Sequence, residues 1–141
     1  MAFEPDILIT TPEGIALVVE AKLNLKNLPR SEDELKRYMV VMRCPIGLLI
    51  TPERMWLYRD FYTADSAQSV QRVGEFDVAK LWDREPPAQE AAFEAFVQQR
   101  LEDLVAEYPN RELPKELNEA LGEYILPAVA TGEMRAAHVR Y

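Results

Sequence analysis

The stretch PDILITTPEGIALVVEAK, residues 5–22, decides the fold. Two apolar runs rich in β-branched residues flank Pro-Glu-Gly at residues 12–14, and this pattern predicts two strands joined by a hairpin loop. Proline presets the backbone for a turn, and Gly14 takes a positive φ at little cost. A three-residue loop with the glycine in the bulge position predicts that Thr11 pairs with Ile15.

This register gathers three ionisable residues. Facing residues of an antiparallel pair have numbers that sum to a constant, so Asp6 is predicted to lie opposite Glu20. Glu20 and Lys22 are two residues apart and project from one face of their strand. Two facing carboxylates repel each other unless a cation lies between them, and oxygen ligands favour Mg²⁺ or Mn²⁺. The hairpin therefore predicts a metal site suited to phosphodiester hydrolysis, with the lysine beside it.

The chain after the hairpin predicts a helix, further strands and then more helices. Ser31 and Glu34 fit a capping box, and Pro45 ends the helix that begins there. The remaining strands are predicted over residues 46–51, 55–59 and 69–77. Two helices are predicted over residues 88–108 and 115–125.

Composition excludes several classes of protein. The chain has 141 residues, 48% of them apolar and 28% charged, which predicts one folded domain. One cysteine excludes a disulfide framework and an all-cysteine zinc site. The sequence has no membrane-length apolar run and no signal-peptide pattern, so we expect a cytoplasmic protein without a membrane partner.

Charge is unevenly distributed along the chain. The net charge of −8 argues against a protein that coats nucleic acid with a basic surface. Most of the acidity lies beyond residue 75, however. Composition changes near Pro86-Pro87, and we predict a core over residues 1–85 and a helical extension over residues 86–141, packed on that core or on a partner chain.

The hairpin also resembles a known signature. Pro5-Asp6, thirteen intervening residues and Glu20-Ala21-Lys22 resemble the motif of the PD-(D/E)xK nuclease superfamily. Residues 34–38 and 47–58 are similar to the following helix and strands of relatives, including nuclease domains of type I restriction-enzyme R subunits. The resemblance implies an α/β, restriction-endonuclease-like mixed sheet in the order strand-strand-helix-strand-strand, with a helical C-terminal extension.

The resemblance implies roles for individual residues. Asp6 and Glu20 would bind Mg²⁺ or Mn²⁺, the Ala21 backbone carbonyl would be a third ligand, and Lys22 would be the catalytic lysine. The function expected on this basis is metal-dependent hydrolysis of nucleic acid, with DNA the expected substrate, in restriction or DNA repair.

Residues of the predicted helix are further candidates. Glu34 and Tyr38 are accessory candidates, although Glu34 also suits a helix cap. Lys36, Arg37 and Arg43 are candidates for phosphate contacts, and the alternative is a solvated helix face.

The short stretch before the Pro-Asp strand keeps other functions open. Relatives carry a helix and a strand before the Pro-Asp strand, and that helix often supplies an acidic residue, whereas only residues 1–4 precede the strand here. We expect the C-terminal helices or a second chain to cover the missing surface, which implies a homodimer or a partner subunit. The alternatives are a catalytically inactive nuclease-like module that acts in assembly or binding, and an oligomeric structural protein with a coincidental motif. His138 is expected in a disordered or partner-docked tail.

Overall fold

The computed structural model describes residues 3–140 and shows an α/β protein with a six-stranded mixed sheet. The strand order is β5-β4-β3-β2-β1-β6, in which β2 and β3 are parallel and the other neighbours are antiparallel. The strands are β1 (Ile7–Thr11), β2 (Gly14–Ala21), β3 (Ile46–Ile50), β4 (Arg54–Asp60), β5 (Val70–Asp77) and β6 (Glu133–Ala136). The helices are α1 (Leu28–Val41), α2 (Glu90–Glu107), α3 (Lys115–Ala120) and α4 (Leu126–Thr131).

The sheet lies between two helical layers. Alternate side chains of the central strands point to opposite faces, and both faces are buried. On one face α1 packs through Leu35 and Met39 against strand residues that include Leu49 and Tyr58. On the other face, α2, α3 and α4 share a larger apolar core with β1 to β4.

The turn of the β1–β2 hairpin is shorter than predicted. Thr11 pairs with Gly14 instead of Ile15, so the loop contains two residues, Pro12 and Glu13. Gly14 has a φ of 131°, a conformation that favours glycine. The positive φ predicted for this residue is therefore confirmed.

A β-bulge compensates for the short turn. Thr10 pairs with Ile15, but Ile9 pairs with Leu17, which leaves Ala16 as an extra residue in β2. The register beyond this bulge is the predicted one, because a two-residue turn and one bulge residue shift the strands as much as a three-residue loop does.

Helix α1 begins earlier than predicted. The side chain of Asn27 accepts a hydrogen bond from the Arg30 N–H at 3.2 Å and caps the helix, and Pro29 lies in the first turn, where proline is favoured. The predicted capping box of Ser31 and Glu34 is therefore wrong. Glu34 instead forms an ion pair with Arg30 at 3.2 Å.

The C-terminal part is not only helical. Residues 133–136 form β6, an edge strand that pairs with β1 and that the sequence pattern did not indicate. The second predicted helix also extends further, because α3 continues through one π-helical turn, residues 121–125, into α4. No helix within residues 3–140 is long and apolar enough to cross a membrane.

Candidate functional site

Asp6, Glu20 and Lys22 meet at one end of the β1–β2 pair. The Asp6 N–H donates to Val19 O at 3.1 Å, which continues the strand pairing one residue beyond β1. The Ala21 N–H donates to Asp6 Oδ2 at 2.8 Å. Lys22 Nζ lies 2.9 Å from Glu20 Oε1 and 3.6 Å from Asp6 Oδ2. The predicted patch is therefore formed, and one ammonium group contacts both carboxylates.

The electrostatics of this patch are unusual for a protein surface. Burial, together with the neighbouring Asp6, raises the pKa of Glu20 to about 8. Glu20 Oε2 is buried and has no hydrogen-bond partner within residues 3–140. Burial lowers the pKa of Lys22, but contact with Glu20 and Asp6 outweighs that effect and raises the pKa overall, so Lys22 is held protonated.

Two further residues complete the cluster. His138 Nε2 lies 2.9 Å from Asp6 Oδ1 and 3.0 Å from Glu94 Oε1. Arg140 Nε lies 3.5 Å from the same Glu94 oxygen. The expectation of a disordered or partner-docked tail is thus wrong, because the tail packs against the chain's own acidic residues.

Strand β6 positions His138 beside the Asp6 carboxylate. Ala136 pairs with Ile7 of β1, and the Ala137 N–H donates to Asp6 O at 2.9 Å. The next residue is His138, and Arg140 is held by a hydrogen bond to Gln98 of α2 at 2.7 Å. Backbone pairing therefore fixes the position of the imidazole relative to the Asp6 carboxylate.

Helix α2 contributes two carboxylates, those of Glu90 and Glu94, to this region. The Glu94 side chain is 4% exposed, and burial followed by the charge of Asp6 raises its pKa. Glu90, one turn earlier, accepts from the Leu23 N–H at 3.3 Å. The sequence carried a signal for Glu94, because it lies three residues before Val97, on the inward stripe of the helix.

His138 is charged more readily than an ordinary histidine. Its hydrogen bond to Asp6, aided by its backbone contact with Val139 O, raises the pKa of the imidazole. The sequence offered no signal for this contact, because it depends on a four-residue edge strand that was not predicted.

A groove runs from Glu20 and Lys22 along the N-terminal end of α1. Its walls carry the cationic residues Lys26 and Arg30, together with polar side chains and Glu34. The remaining lining residues are Phe3, Glu4, Asn24, Leu25, Asn27 and Ser31. With Lys22 and Glu20 counted, the groove holds three cations and three carboxylates, and Arg30 is paired with Glu34.

The predicted phosphate contacts, Lys36, Arg37 and Arg43, do not line this groove. Arg37 pairs with Asp33 at 3.0 Å, and Lys36 lies over the Tyr58 ring. Arg43 follows the C-terminal end of α1, two residues beyond Val41 and at the end of the helix remote from the groove. All three cations therefore lie outside the groove.

Tyr38, an accessory candidate, also lies outside the groove lining. Its ring packs on Phe3 with 5.2 Å between centroids, in the apolar cluster beneath α1. Of the two accessory candidates, only Glu34 lines the groove.

Comparisons of the chain with models of protein families, with curated proteins and with solved structures found no match. The chemistry of the site follows from its own geometry. Buried carboxylates beside a protonated lysine suit the binding of a divalent cation, and Lys26 and Arg30 on the groove wall suit contact with an anionic group.

Proposed function

We propose that the chain is a metal-dependent nuclease that hydrolyses nucleic-acid phosphodiesters, with DNA as the expected substrate. The observation that carries this proposal is the convergence of Asp6, Glu20 and Lys22 from paired strands, with Lys22 Nζ in contact with both carboxylates. Adjacent buried carboxylates destabilise a fold, and groups with strongly perturbed pKa values concentrate at functional sites.

We also propose that the fold is of the restriction-endonuclease-like type and the chain a PD-(D/E)xK protein. The element order supports this assignment, because β1, β2, α1, β3 and β4 follow the expected strand-strand-helix-strand-strand series. The position of β6 beside β1 gives further support. With α2, it supplies a strand and a helix that relatives place before the Pro-Asp strand, and Glu94 is then the acidic residue of that helix.

Asp6 and Glu20 would hold Mg²⁺ or Mn²⁺, with the Ala21 carbonyl as the expected third ligand. The fit rests on Glu20 Oε2, a buried oxygen with no hydrogen-bond partner in the described chain. A bound Mg²⁺ would polarise phosphate oxygens and lower the pKa of a coordinated water. Lys22, held protonated by its neighbours, would donate to the phosphate and stabilise the negative charge that develops there.

Substrate would enter along the groove. Lys26 and Arg30 lie on its wall and would pair with backbone phosphates on one side of the cleavage point. The net charge of −8 weakens unaided binding of a polyanion. We therefore propose that a second copy of the chain or a partner subunit completes the nucleic-acid surface.

Plasmid nicking with Mg²⁺ and with Mn²⁺ tests the activity. Lys22→Ala is expected to reduce the rate by roughly 10²–10³-fold, as loss of a transition-state donor does in other enzymes. Lys36→Ala is the matched control, because it removes a lysine that lies outside the groove. Equal cleavage by the wild type and Lys22→Ala would identify a contaminating nuclease and remove the assignment.

The second candidate is a catalytically inactive nuclease-like module that binds nucleic acid or a partner subunit. The observation in its favour is that Lys22, His138 and Arg140 already contact the acidic residues. This candidate predicts DNA binding that depends on Lys26 and Arg30 without metal-dependent nicking, so binding and cleavage assays on one preparation separate the two functions.

A further inference from the structure

The second half of the acidic cluster has the donor set of a transition-metal site. Asp6, Glu94 and His138 each offer one ligand atom, and these atoms all lie within 4.8 Å of one another. They come from the start of β1, the first turns of α2 and the segment after β6. Backbone pairing and helix packing hold the three elements, so the donors are brought together by the fold itself.

The orientation of the His138 ring points Nε2 at the carboxylates. Nδ1 lies 2.9 Å from Val139 O, and that contact is a hydrogen bond only if Nδ1 carries a proton. In the neutral imidazole, Nε2 then has a free lone pair, 2.9 Å from Asp6 Oδ1 and 3.0 Å from Glu94 Oε1. Three lone-pair donors face one another, so a proton or a metal ion is required between them. A ligating histidine typically donates its other ring N–H in this way.

The carboxylates are buried and only partly satisfied. Glu94 Oε1 has no hydrogen-bond partner within residues 3–140, although its side chain is 4% exposed. Asp6 is 1% exposed, and its second oxygen is fixed by the Ala21 N–H at 2.8 Å. This buried oxygen makes no hydrogen bond and lies 3.0 Å from His138 Nε2 and 3.5 Å from Arg140 Nε, an arrangement that a surface cluster of acidic residues lacks.

We propose that Asp6, Glu94 and His138 bind a divalent transition-metal ion, for which Zn²⁺ is the probe. Imidazole favours zinc and its transition-metal neighbours, whereas Mg²⁺ prefers oxygen ligands alone. Three protein ligands leave a coordination position open, as in catalytic zinc sites. The site shares Asp6 with the hydrolytic site proposed above, but metal binding here does not depend on nuclease activity.

Calorimetric titration of the untagged full chain with ZnCl₂ tests the site. His138→Ala and Glu94→Gln are each expected to weaken zinc binding by at least ~10-fold. Glu102→Gln is the matched control, because it changes an exposed carboxylate on the same helix, and Lys22→Ala should retain zinc binding. Lys22→Ala should lose nicking and keep zinc binding, whereas His138→Ala should lose zinc binding and keep nicking. Either result separates this proposal from the nuclease proposal.

A second measurement tests the zinc site in the wild-type protein, so the result does not depend on whether a variant folds. His138 is the one histidine of the chain, so imidazole ¹⁵N spectra of the wild type report this residue alone. Stoichiometric zinc is expected to shift Nε2 and to leave Nδ1 protonated. Zinc binding that is unchanged in His138→Ala and Glu94→Gln, or an imidazole that stays doubly protonated with zinc present, would overturn the proposal.

Discussion

Asp6 and His138 are 132 residues apart in the sequence, and their side chains meet with 2.9 Å between Oδ1 and Nε2. The contact exists because β6 pairs with β1 and ends directly beside Asp6. The acidic site is thus assembled from both halves of the chain. Changes to the C-terminal strand should reach the site as directly as changes to the hairpin.

Glu20→Gln is expected to stabilise the metal-free protein. The pKa of about 8 in the folded state lies above the ordinary 4.5, so this group's contribution to stability is present below pH 4.5 and lost as the pH rises through 8. Glutamine cannot ionise, and it replaces a carboxylate oxygen that has no partner. We expect a gain of about 1–3 kcal/mol in the free energy of unfolding at pH 9 relative to the wild type.

Thermal unfolding at pH 5 and pH 9, with and without Mg²⁺, measures this effect. Mg²⁺ should raise the melting temperature of the wild type and should raise that of Glu20→Gln much less, because ligand binding stabilises only the state that binds. Equal stability of the two proteins at pH 9 would contradict the claim that the buried Glu20 carboxylate destabilises the fold.

Lys26→Ala with Arg30→Ala tests the groove. Removing two cations next to Lys22 is expected to weaken DNA binding and to reduce the slope of log K against log salt by about 2. The matched control is Lys36→Ala with Arg37→Ala, which removes the same charges from the solvated face of α1. Fluorescence anisotropy across a salt series measures both, and equal losses would show that the groove has no special role.

Gly132→Ala tests the attachment of β6. A Cβ at this position would lie 2.6 Å from Ile9 Cγ2 and 2.9 Å from Thr10 O, so the strand must move. We expect a loss of about 1–3 kcal/mol in the free energy of unfolding, measured by urea titration, together with weaker zinc binding. Glu133→Ala changes an exposed side chain one residue further on, at the start of β6, and should stay within about 0.5 kcal/mol.

Cys44 is expected to be unreactive in the folded protein. The thiol is fully buried, its Sγ lies 3.2 Å from Ile46 O, and burial raises its pKa to about 12. Its contribution to stability is present below pH 9, the ordinary thiol pKa, and lost as the pH rises through 12. Ellman's reagent at pH 8 should therefore react only after unfolding in urea, and rapid reaction of the native protein would contradict the buried placement.

The local parts of the fold were predictable from the sequence because they depend on short-range chemistry. Proline and Gly14 marked the hairpin, and alternation and helical periodicity marked β3, β4 and α2. The start of α1 was misplaced because Ser31 and Glu34 offered one cap and Asn27 with Pro29 offered a better one. Neighbouring residues alone do not rank such competing caps.

The site was predictable only in part. Asp6, Glu20 and Lys22 lie on one hairpin, so strand geometry was enough to bring them together. Glu94 carried a weak signal, an acidic residue on an apolar stripe. His138 carried none, because its position depends on the pairing of a short edge strand with a partner more than a hundred residues away.

The bulge at Ala16 constrains how this hairpin can change in evolution. Asp6 faces Glu20 because the two-residue turn and the single bulge residue set this register. Loss of Ala16 would remove the bulge and still leave Asp6 opposite Glu20, whereas loss of a residue between the bulge and Glu20, such as Val18, would bring Glu20 opposite Ile7 and turn it to the other face. The bulge is therefore the position at which this hairpin can lose a residue and keep the site.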